Sequence, residues 1–421
     1  MSHDTARTSA YATWAEWGLS SGIGESWLGV FFFCSLLLPP LPFPVGNSGV
    51  NIAPIVALFG LVRASEWRTS RVGNFLVLFL AVLTVSVGFA AAYSGWRIAL
   101  GSLARVFLFG IGVYVFLYAK VSDPVKFARF LFWIGLTGAA FACIDFYFQL
   151  PAPARYAPQF VWLKHSALRR AQGVFYEAST LGNFCAFFLV MILVASFPPK
   201  GERLLSRGAL ILGALVFSAA LILTSSRASV AAVVVAGCMF VWLRRLKIRI
   251  VLVAVCACLG AAALAVRVAL PAVSANYWSR MTLSTEHFWS YPNEVLSGRL
   301  TNWTALVDFV AQHPWHLVFG IGYKTIPYTN YIGTRLVADN TYLSLLVETG
   351  VIGLTVFVLL NVAILRTAYR AARSGSFFGT WIFCFWCGET VQMLSGDLIT
   401  YWRVLPVYFW VLATAARESG E

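Results

Sequence analysis

The chain has 421 residues, of which 59% are hydrophobic and 11% charged, and its formal net charge at pH 7 is +14. A water-solvated globule with this composition would lack the polar surface to cover itself, so we predict an integral membrane protein. The apolar runs are long and continuous rather than short and alternating, which excludes a β-barrel and predicts an all-α polytopic fold.

Apolar runs long enough to cross a bilayer as helices recur along the whole chain. In chain order they cover residues 26–44, 47–63, 72–93, 98–119, 127–149, 174–198, 208–225, 227–243, 249–271, 341–365, 377–394 and 400–416. The sequence therefore predicts about twelve transmembrane helices in one integrated domain. Residues 1–271 would hold helices one to nine, 272–340 one large outer loop, and 341–421 helices ten to twelve.

The distribution of basic residues predicts the orientation of these helices. Alternate loops are short and rich in Lys or Arg: RASEWRTSR, KVSDPVKFAR, PKGERLLSR, RRLKIR and RTAYRAAR. The positive-inside bias places these loops in the cytoplasm and the large loop on the opposite, outer side. They contain more than half of the basic residues, so the net charge gives no reason to expect nucleic acid as a partner.

Eleven of the other 15 basic residues run against this bias, because they lie on the outer side. They are Arg97, Arg155, Lys164, Arg169, Arg170, Arg227, Arg267, Arg280, Arg299, Lys324 and Arg335. We therefore expect something on the outer side to compensate their charge.

The large loop contains an amphipathic helix followed by an aromatic, turn-rich segment. Apolar residues recur three and four apart from Leu300 to Val310, which predicts a helix that ends before His313 and Pro314. The following FGIGYKTIPYTNYIG, which includes Tyr323, is typical of a segment that caps a cavity and contacts sugar rings or the membrane interface.

Two polar stripes approach the outer face from within apolar runs. Asn340, Ser344 and Glu348 follow one another at four-residue spacing, which places them on one side of a helix. A second stripe begins at Glu177, just after Arg170. For each of these residues two interpretations stay open, a contact that holds two helices together and a catalytic role.

Arginines and carboxylates at an outer membrane surface suit one kind of substrate, a glycan on a polyprenyl diphosphate. Guanidinium groups bind phosphate oxygens bidentately, and a carboxylate can accept the proton of an attacking sugar hydroxyl. The sequence has no phosphate-cradling glycine loop with Lys and no metal-ligand motif. We therefore expect neither a cofactor nor a catalytic metal.

The stretch VADNTYLSLLVETGVIGL, from Val337 to Leu354, resembles the signature of the O-antigen ligase and polymerase superfamily. In that signature a His and an Asn, Ser or Gln precede nine residues and a Gly-x-x-Gly. Here Asn340, Gly350 and Gly353 match, whereas Asp339 replaces the His. Further similar stretches are GRLTNW, AQHPWHLVFGIGY and TSSRAS.

The resemblance implies a membrane glycosyltransferase of GT-C-like architecture in a bacterial inner membrane, with its active site facing the periplasm. It implies inverting, metal-independent transfer from an undecaprenyl-diphosphate-linked donor to an acceptor hydroxyl. The expected partners are this donor, the glycan acceptor and membrane lipid, with a chain-length regulator as an open candidate.

We assign site residues on the resemblance and on the polar stripes. The catalytic candidates are Asp339, at the His position, and Glu177. The candidates for binding the donor diphosphate are Arg227, Arg299, Arg170 and Arg335. The supporting candidates are Asn340, Glu348 and Tyr323.

Polymerisation of repeat units into O-antigen or exopolysaccharide is the preferred function, because the replacement of the His by Asp339 departs from the ligases. Ligation of the glycan to another acceptor is the first alternative. A lipid-linked glycan flippase or transporter is the second, although we find no internal repeat of the kind common in transporters.

Overall fold

The computed structural model describes residues 23–39, 41–45, 48–61, 70–148, 159–163, 166–197, 204–245, 291–296, 298–333 and 336–420, together with scattered residues between 260 and 290. Within this part of the chain the fold is a bundle of α-helices with two small β-hairpins.

The helices are numbered here in chain order over the described residues. They are α1 Ile23–Leu37, α2 Ile52–Leu61, α3 Arg71–Ser94, α4 Trp96–Tyr118, α5 Pro124–Phe148, α6 Ala178–Ser196, α7 Arg207–Thr224, α8 Arg227–Arg244, α9 Pro292–Val295, α10 Arg299–Gln312, α11 Pro314–Phe319, α12 Thr341–Arg373, α13 Phe377–Gln392 and α14 Leu405–Glu418. Short 3-10 turns lie at Gly173–Phe175 and Leu398–Thr400.

Seven of the described helices are long and apolar enough to cross a membrane: α3, α4, α5, α6, α7, α8 and α12. They confirm the predicted all-α polytopic membrane fold. Helices α1, α2, α13 and α14 occupy four further predicted runs but are shorter, with 10 to 16 residues. The predicted run 249–271 lies largely outside the described residues, so the count of twelve stays a prediction.

The two predicted runs nearest the N-terminus are too long, because a β-hairpin occupies the junction between them. Strand β1 (Leu41–Val45) pairs antiparallel with β2 (Ser48–Val50). Four prolines between positions 39 and 44 explain the correction, since proline lacks the amide hydrogen that a helix interior needs. A second hairpin, β3 (Phe160–Leu163) with β4 (Ser166–Arg169), lies in the segment between α5 and α6.

The core of the bundle is rich in large aromatic side chains. Trp381 and Trp386 of α13 and Tyr408 and Trp410 of α14 are all fully buried. Helix α13 packs against α8, α12 and α14, and α3 packs against α4 and α12. Helices α12, α13 and α14 therefore form the centre around which the other spans are arranged.

A second, smaller core lies under the loop helix α10. It joins the buried side of α10 to the start of α12 and contains Leu306, Phe309, Val310, Ile321, Ile326, Leu336, Ala338 and Val347. The predicted amphipathic helix is thus confirmed, with Arg299 as its first residue. One residue of the predicted apolar face, Val307, is instead 53% exposed.

The two ends of the bundle differ in their basic residues. The end formed by the predicted cytoplasmic loops carries Lys120, Lys126, Arg129, Arg207, Arg244, Arg245, Arg366, Arg370 and Arg373. The opposite end gathers the segment before α6, the loop from α9 to α12 and the turn between α13 and α14, and it contains the cavity described next.

Candidate active site

The glycines of the motif lie where the large loop meets α12. Gly350 interrupts α12 with non-helical backbone angles, φ 68° and ψ −173°. A Cβ atom on Gly350 would lie 2.1 Å from the carbonyl oxygen of Val318, and one on Gly320 would lie 2.3 Å from the carbonyl group of Glu348. No side chain fits at either position, so both glycines are required for the two backbones to touch.

Hydrogen bonds fix this close approach. The amide of Ile321 donates to the carbonyl oxygen of Val347 at 3.1 Å, and the amide of Gly322 donates to that of Glu348 at 2.9 Å. The loop thus binds two carbonyl groups next to the break in the helix, where buried backbone groups need partners. As a result the segment after Gly322 is held beside the first turns of α12.

A cavity of about 480 Å³ lies between these segments at the end of the bundle opposite the basic loops. Its lining is largely polar and comes from distant parts of the chain: Arg105, Gln159, Arg170, Glu177, Ser179, Arg299, Lys324, Ile326, Pro327, Tyr328, Val337, Ala338, Asp339, Ser344, Glu348, Ser395, Gly396, Asp397, Thr400 and Tyr401. Four cationic and four carboxylate side chains share this space.

Arg299 and Asp339 lie together at the exposed side of the cavity. The Arg299 Nε atom is 3.3 Å from Asp339 Oδ2, and its Nη1 donates to Ser395 Oγ at 3.3 Å. The two side chains are 25% and 48% exposed. Asp339 also has φ 42°, in the left-handed region where residues other than glycine are uncommon. This accessible pair can be opened by a competing anion at small cost.

Arg170 and Glu177 lie deeper in the same cavity. The Arg170 Nε donates to the carbonyl oxygen of Thr224 at 2.8 Å, and Glu177 Oε2 accepts from Thr180 Oγ1 at 2.7 Å. Burial lowers the pKa of Arg170, and the negative charges of Glu177 and Asp339 oppose this shift. Burial likewise raises the pKa of Glu177, while the Thr180 hydroxyl and Arg170 oppose this shift.

Lys324 forms the third polar centre of the cavity. It is 6% exposed and pairs with Asp397 Oδ2, while Glu348 lies close enough for its charge to act on it. Burial lowers the pKa of Lys324 to about 8. Its backbone is left-handed, with φ 56°. A lysine in this conformation costs on the order of 1–3 kcal/mol, a strain that proteins tend to keep at functional sites.

Five of the nine predicted site residues therefore share one cavity: Asp339, Glu177, Arg299, Arg170 and Glu348. Arg335 lies outside the described residues. The other three have places outside the cavity lining.

Three predicted site residues make structural contacts outside this lining: Arg227, Asn340 and Tyr323. Arg227 is the first residue of α8, and its Nη2 donates to the carbonyl oxygen of Val295 at 2.5 Å. Asn340 caps α12 by accepting from the amide of Leu343 at 3.0 Å. Tyr323 is 1% exposed, and its amide donates to Ser86 Oγ at 2.9 Å. The contacts of Asn340 and Tyr323 hold segments that carry cavity residues, and that of Arg227 holds α9, which shortly precedes Arg299.

Three charged residues of the cavity were not among the predicted site residues. Arg105 lies within the predicted apolar run 98–119, and Lys324 is one of the outer basic residues. The sequence around Asp397 did not indicate a site residue, and its one local feature is its place in the turn SGD directly after a predicted span. The ion pair of Lys324 and Asp397 joins the large loop to the turn after α13, a contact that no local pattern contains.

Residues 212–358 match the family model described as O-antigen ligase. This match confirms the predicted resemblance to the O-antigen ligase and polymerase superfamily. The matched segment is about a third of the chain and runs from α7 to the break in α12 and beyond, so it includes Arg299, Lys324, Asp339 and Glu348. No curated protein matches the chain. The match supports activity of the O-antigen ligase or polymerase type, a membrane glycosyltransferase acting on lipid-linked glycans.

Proposed function

We propose that the cavity transfers a glycan from an undecaprenyl-diphosphate-linked donor to an acceptor hydroxyl at the periplasmic face of a bacterial inner membrane. The observation that carries this proposal is the convergence of Arg170, Arg299 and Glu177 on one cavity, at the end of the bundle opposite the basic loops. Under the positive-inside bias that end faces away from the cytoplasm.

Arg170 and Arg299 suit the diphosphate of the donor. Both guanidinium groups line the cavity, and the positive charge of Arg299 is one of the causes that lower the pKa of Arg170, because like charges repel. A diphosphate between them would relieve this repulsion and accept charge-assisted hydrogen bonds from both. It would compete with Asp339 for Arg299, and the exposure of this ion pair makes the exchange feasible.

Glu177 is better placed than Asp339 to act as general base. Asp339 is 48% exposed, and its carboxylate is already engaged by the Arg299 guanidinium. Glu177 is more enclosed, and its raised pKa brings it closer to the working pH, where a general base is most effective. Both carboxylates remain candidates, with Glu177 now first.

The proposed reaction replaces one carbon–oxygen bond of the anomeric carbon with another and moves one proton. The acceptor oxygen attacks the anomeric carbon on the face opposite the diphosphate, the bond between that carbon and the phosphate oxygen breaks, and undecaprenyl diphosphate leaves. Glu177 takes the hydroxyl proton, and the two arginines stabilise the charge that develops on the leaving group. No metal takes part in this scheme.

Chain growth, in which the acceptor is itself a lipid-linked repeat unit, remains the preferred form of the reaction, because Asp339 stands in place of the motif His. A flippase would instead need basic groups along the depth of the bundle. Arg403, which is 6% exposed, instead donates hydrogen bonds to the carbonyl oxygens of Ser35, Val174 and Leu38.

Purified protein in lipid nanodiscs, given a labelled lipid-linked repeat unit, tests the proposal. We expect longer lipid-linked products on a gel, and the same yield with a chelator present. Arg170→Ala and Arg299→Ala should each lower kcat/KM by about 10²–10³-fold. Arg373→Ala, an exposed arginine at the other end of α12, is the matched control and should retain full activity.

The outcomes separate the alternatives. Products that form only when a different saccharide acceptor is added would identify a ligase. Movement of the labelled lipid across a vesicle membrane without any new glycosidic bond would identify a flippase and overturn the proposal.

A further inference from the structure

One end of the cavity contains carboxylate oxygens that are buried and lack partners among the described residues. Glu348 is 1% exposed, and its Oε1 accepts from the amide of Ile326 at 3.3 Å. Its Oε2 is buried and has no hydrogen-bond partner in the described part of the chain. An ionised or polar oxygen in this state is costly unless a ligand satisfies it.

Asp397, in the turn after α13, repeats this arrangement in the same cavity lining. Its Oδ2 pairs with Lys324, whereas its Oδ1 is buried and, within the described segments, makes no hydrogen bond. Lys324 therefore holds Asp397 and lies near Glu348. Glu348 and Asp397 thus each have one paired and one unpaired carboxylate oxygen, and both residues line the same cavity.

The chemistry of these oxygens selects the ligand. Carboxylates repel phosphate, so this end of the cavity does not suit the donor diphosphate. A cationic ligand is not needed either, because the Lys324 ammonium already pairs with Asp397 and lies near Glu348. Neutral hydroxyl groups remain, because they donate to carboxylate oxygens without adding charge, and a sugar ring carries several of them close together.

An aromatic ring completes this end. Tyr328 lines the cavity and is 49% exposed. The Arg105 guanidinium lies 4.8 Å from the centre of its ring, and its Nη2 donates to the Tyr328 hydroxyl at 2.7 Å. This contact fixes the ring, and its exposed part can pack against the apolar C–H face of a sugar. The neighbouring Ile326 and Pro327 continue the apolar edge.

We propose that Glu348, Asp397, Lys324 and Tyr328 form a subsite for an uncharged, hydroxyl-bearing sugar ring of the acceptor. This inference rests on the proposed function and deepens it, because it assigns separate groups of residues in one cavity to the two substrates. Glu177 lines the same cavity, and the charges of Arg170 and Lys324 both act on its carboxylate. A sugar bound at Lys324 would present a hydroxyl toward Glu177, with the donor diphosphate at Arg170.

Binding of an acceptor saccharide without any donor tests the subsite separately from the reaction. The probes are the oligosaccharide released by mild acid from the cell's own lipid-linked repeat unit and the same oligosaccharide after periodate oxidation, which destroys vicinal diols. Titration calorimetry on the intact protein should give a Kd for the oxidised probe at least tenfold weaker than for the native one.

The isosteric variants Glu348→Gln and Asp397→Asn should weaken binding of the native probe at least tenfold and lose the preference for it over the oxidised probe. Tyr328→Ala, which removes a half-exposed ring, should weaken both probes equally and guards against a folding defect in the buried variants. Asp308→Asn, an exposed carboxylate on α10 outside the cavity lining, is the control and should bind like the unmodified protein.

Kinetics give a second measurement. In the transfer assay Glu348→Gln and Asp397→Asn should raise KM for the acceptor at least tenfold and leave KM for the donor within twofold. Equal binding of both probes by the unmodified protein, or equal changes in the two KM values, would overturn the subsite. Absence of any transfer by the unmodified protein, with selective probe binding intact, would overturn the proposed function alone.

Discussion

The amide of Gly322 donates a 2.9 Å hydrogen bond to the carbonyl oxygen of Glu348, so the large loop is attached to α12 at the residue whose side chain lines the cavity. The family motif places Gly350 two residues later, where the helix is broken. The motif glycines thus have a structural role that can be measured.

Gly350→Ala should destabilise the protein by about 2–4 kcal/mol, because it adds a side chain at φ 68° and directly against the carbonyl oxygen of Val318. The measurement is the apparent melting temperature in detergent, followed by size-exclusion chromatography. Gly237→Ala is the control: it lies within α8 with no atom within 4 Å of the added methyl group. It should be neutral or slightly stabilising, and an equal loss in both variants would contradict the assigned role.

Glu177→Gln should lower kcat by about 10²–10⁴-fold, because the amide cannot accept the hydroxyl proton. Asp339→Asn should retain most of kcat and lower KM for the donor by up to about fivefold, since it removes the carboxylate that competes for Arg299. Steady-state kinetics on both variants decide between the two bases. A silent Glu177→Gln beside an inactive Asp339→Asn would restore Asp339 as the base.

The kcat of the transfer reaction should fall as pH decreases, because Glu177 then becomes protonated. Burial raises its pKa above the ordinary 4.5, with Arg170 and Lys324 opposing and Asp339 adding to the shift. Because only the ionised form accepts a proton, kcat should decline as pH falls through this raised value. The profile of kcat against pH measures it, and a midpoint at or below 4.5 would exclude Glu177 as the titrating base.

Acceptor binding should weaken on the alkaline side. Burial lowers the pKa of Lys324 to about 8, so the ammonium loses its proton, and Asp397 its ionic partner, as pH rises through that value. KM for the acceptor should therefore rise above about pH 8, whereas KM for the donor should not. Lys324→Arg keeps the charge throughout this range and should abolish the alkaline rise.

Arg227 should act as a positioning residue. Its hydrogen bond to Val295 holds the segment that leads into Arg299, although Arg227 itself is absent from the cavity lining. Arg227→Ala should lower kcat about tenfold with little change in KM for the donor, whereas Arg299→Ala should raise that KM strongly. Arg227→Lys, which can still donate to the Val295 carbonyl, should restore most of the activity. A donor KM raised equally in Arg227→Ala and Arg299→Ala would place Arg227 on the diphosphate.

The sequence predicted those features that depend on neighbouring residues. Long apolar runs are enough to identify the membrane helices, and four-residue spacing placed Glu348 on the cavity side of α12. The hairpin at Leu41–Val45 was missed because its residues are as apolar as a helix, and only the clustered prolines distinguish it.

The site was only partly predictable for a related reason. Arg299 and Asp339 belong to recognisable motifs, and the structure pairs them. Asp397 meets Lys324 across 73 residues of chain, and Arg105 meets Tyr328 across 223. Contacts of this range follow from the packing of the whole bundle, so a single sequence carries no local pattern for them.

The attachment of Gly320 and Gly322 to α12 also determines where this protein tolerates changes in length. Residues 330–333 lie beyond Gly322, whose amide makes the last of the described backbone bonds from the loop to α12, so an insertion there leaves Lys324 in register with Glu348. One extra residue between Gly320 and Lys324 would shift that register and turn the lysine out of the cavity. Homologues with loops of different size should therefore vary after this segment and keep its length constant.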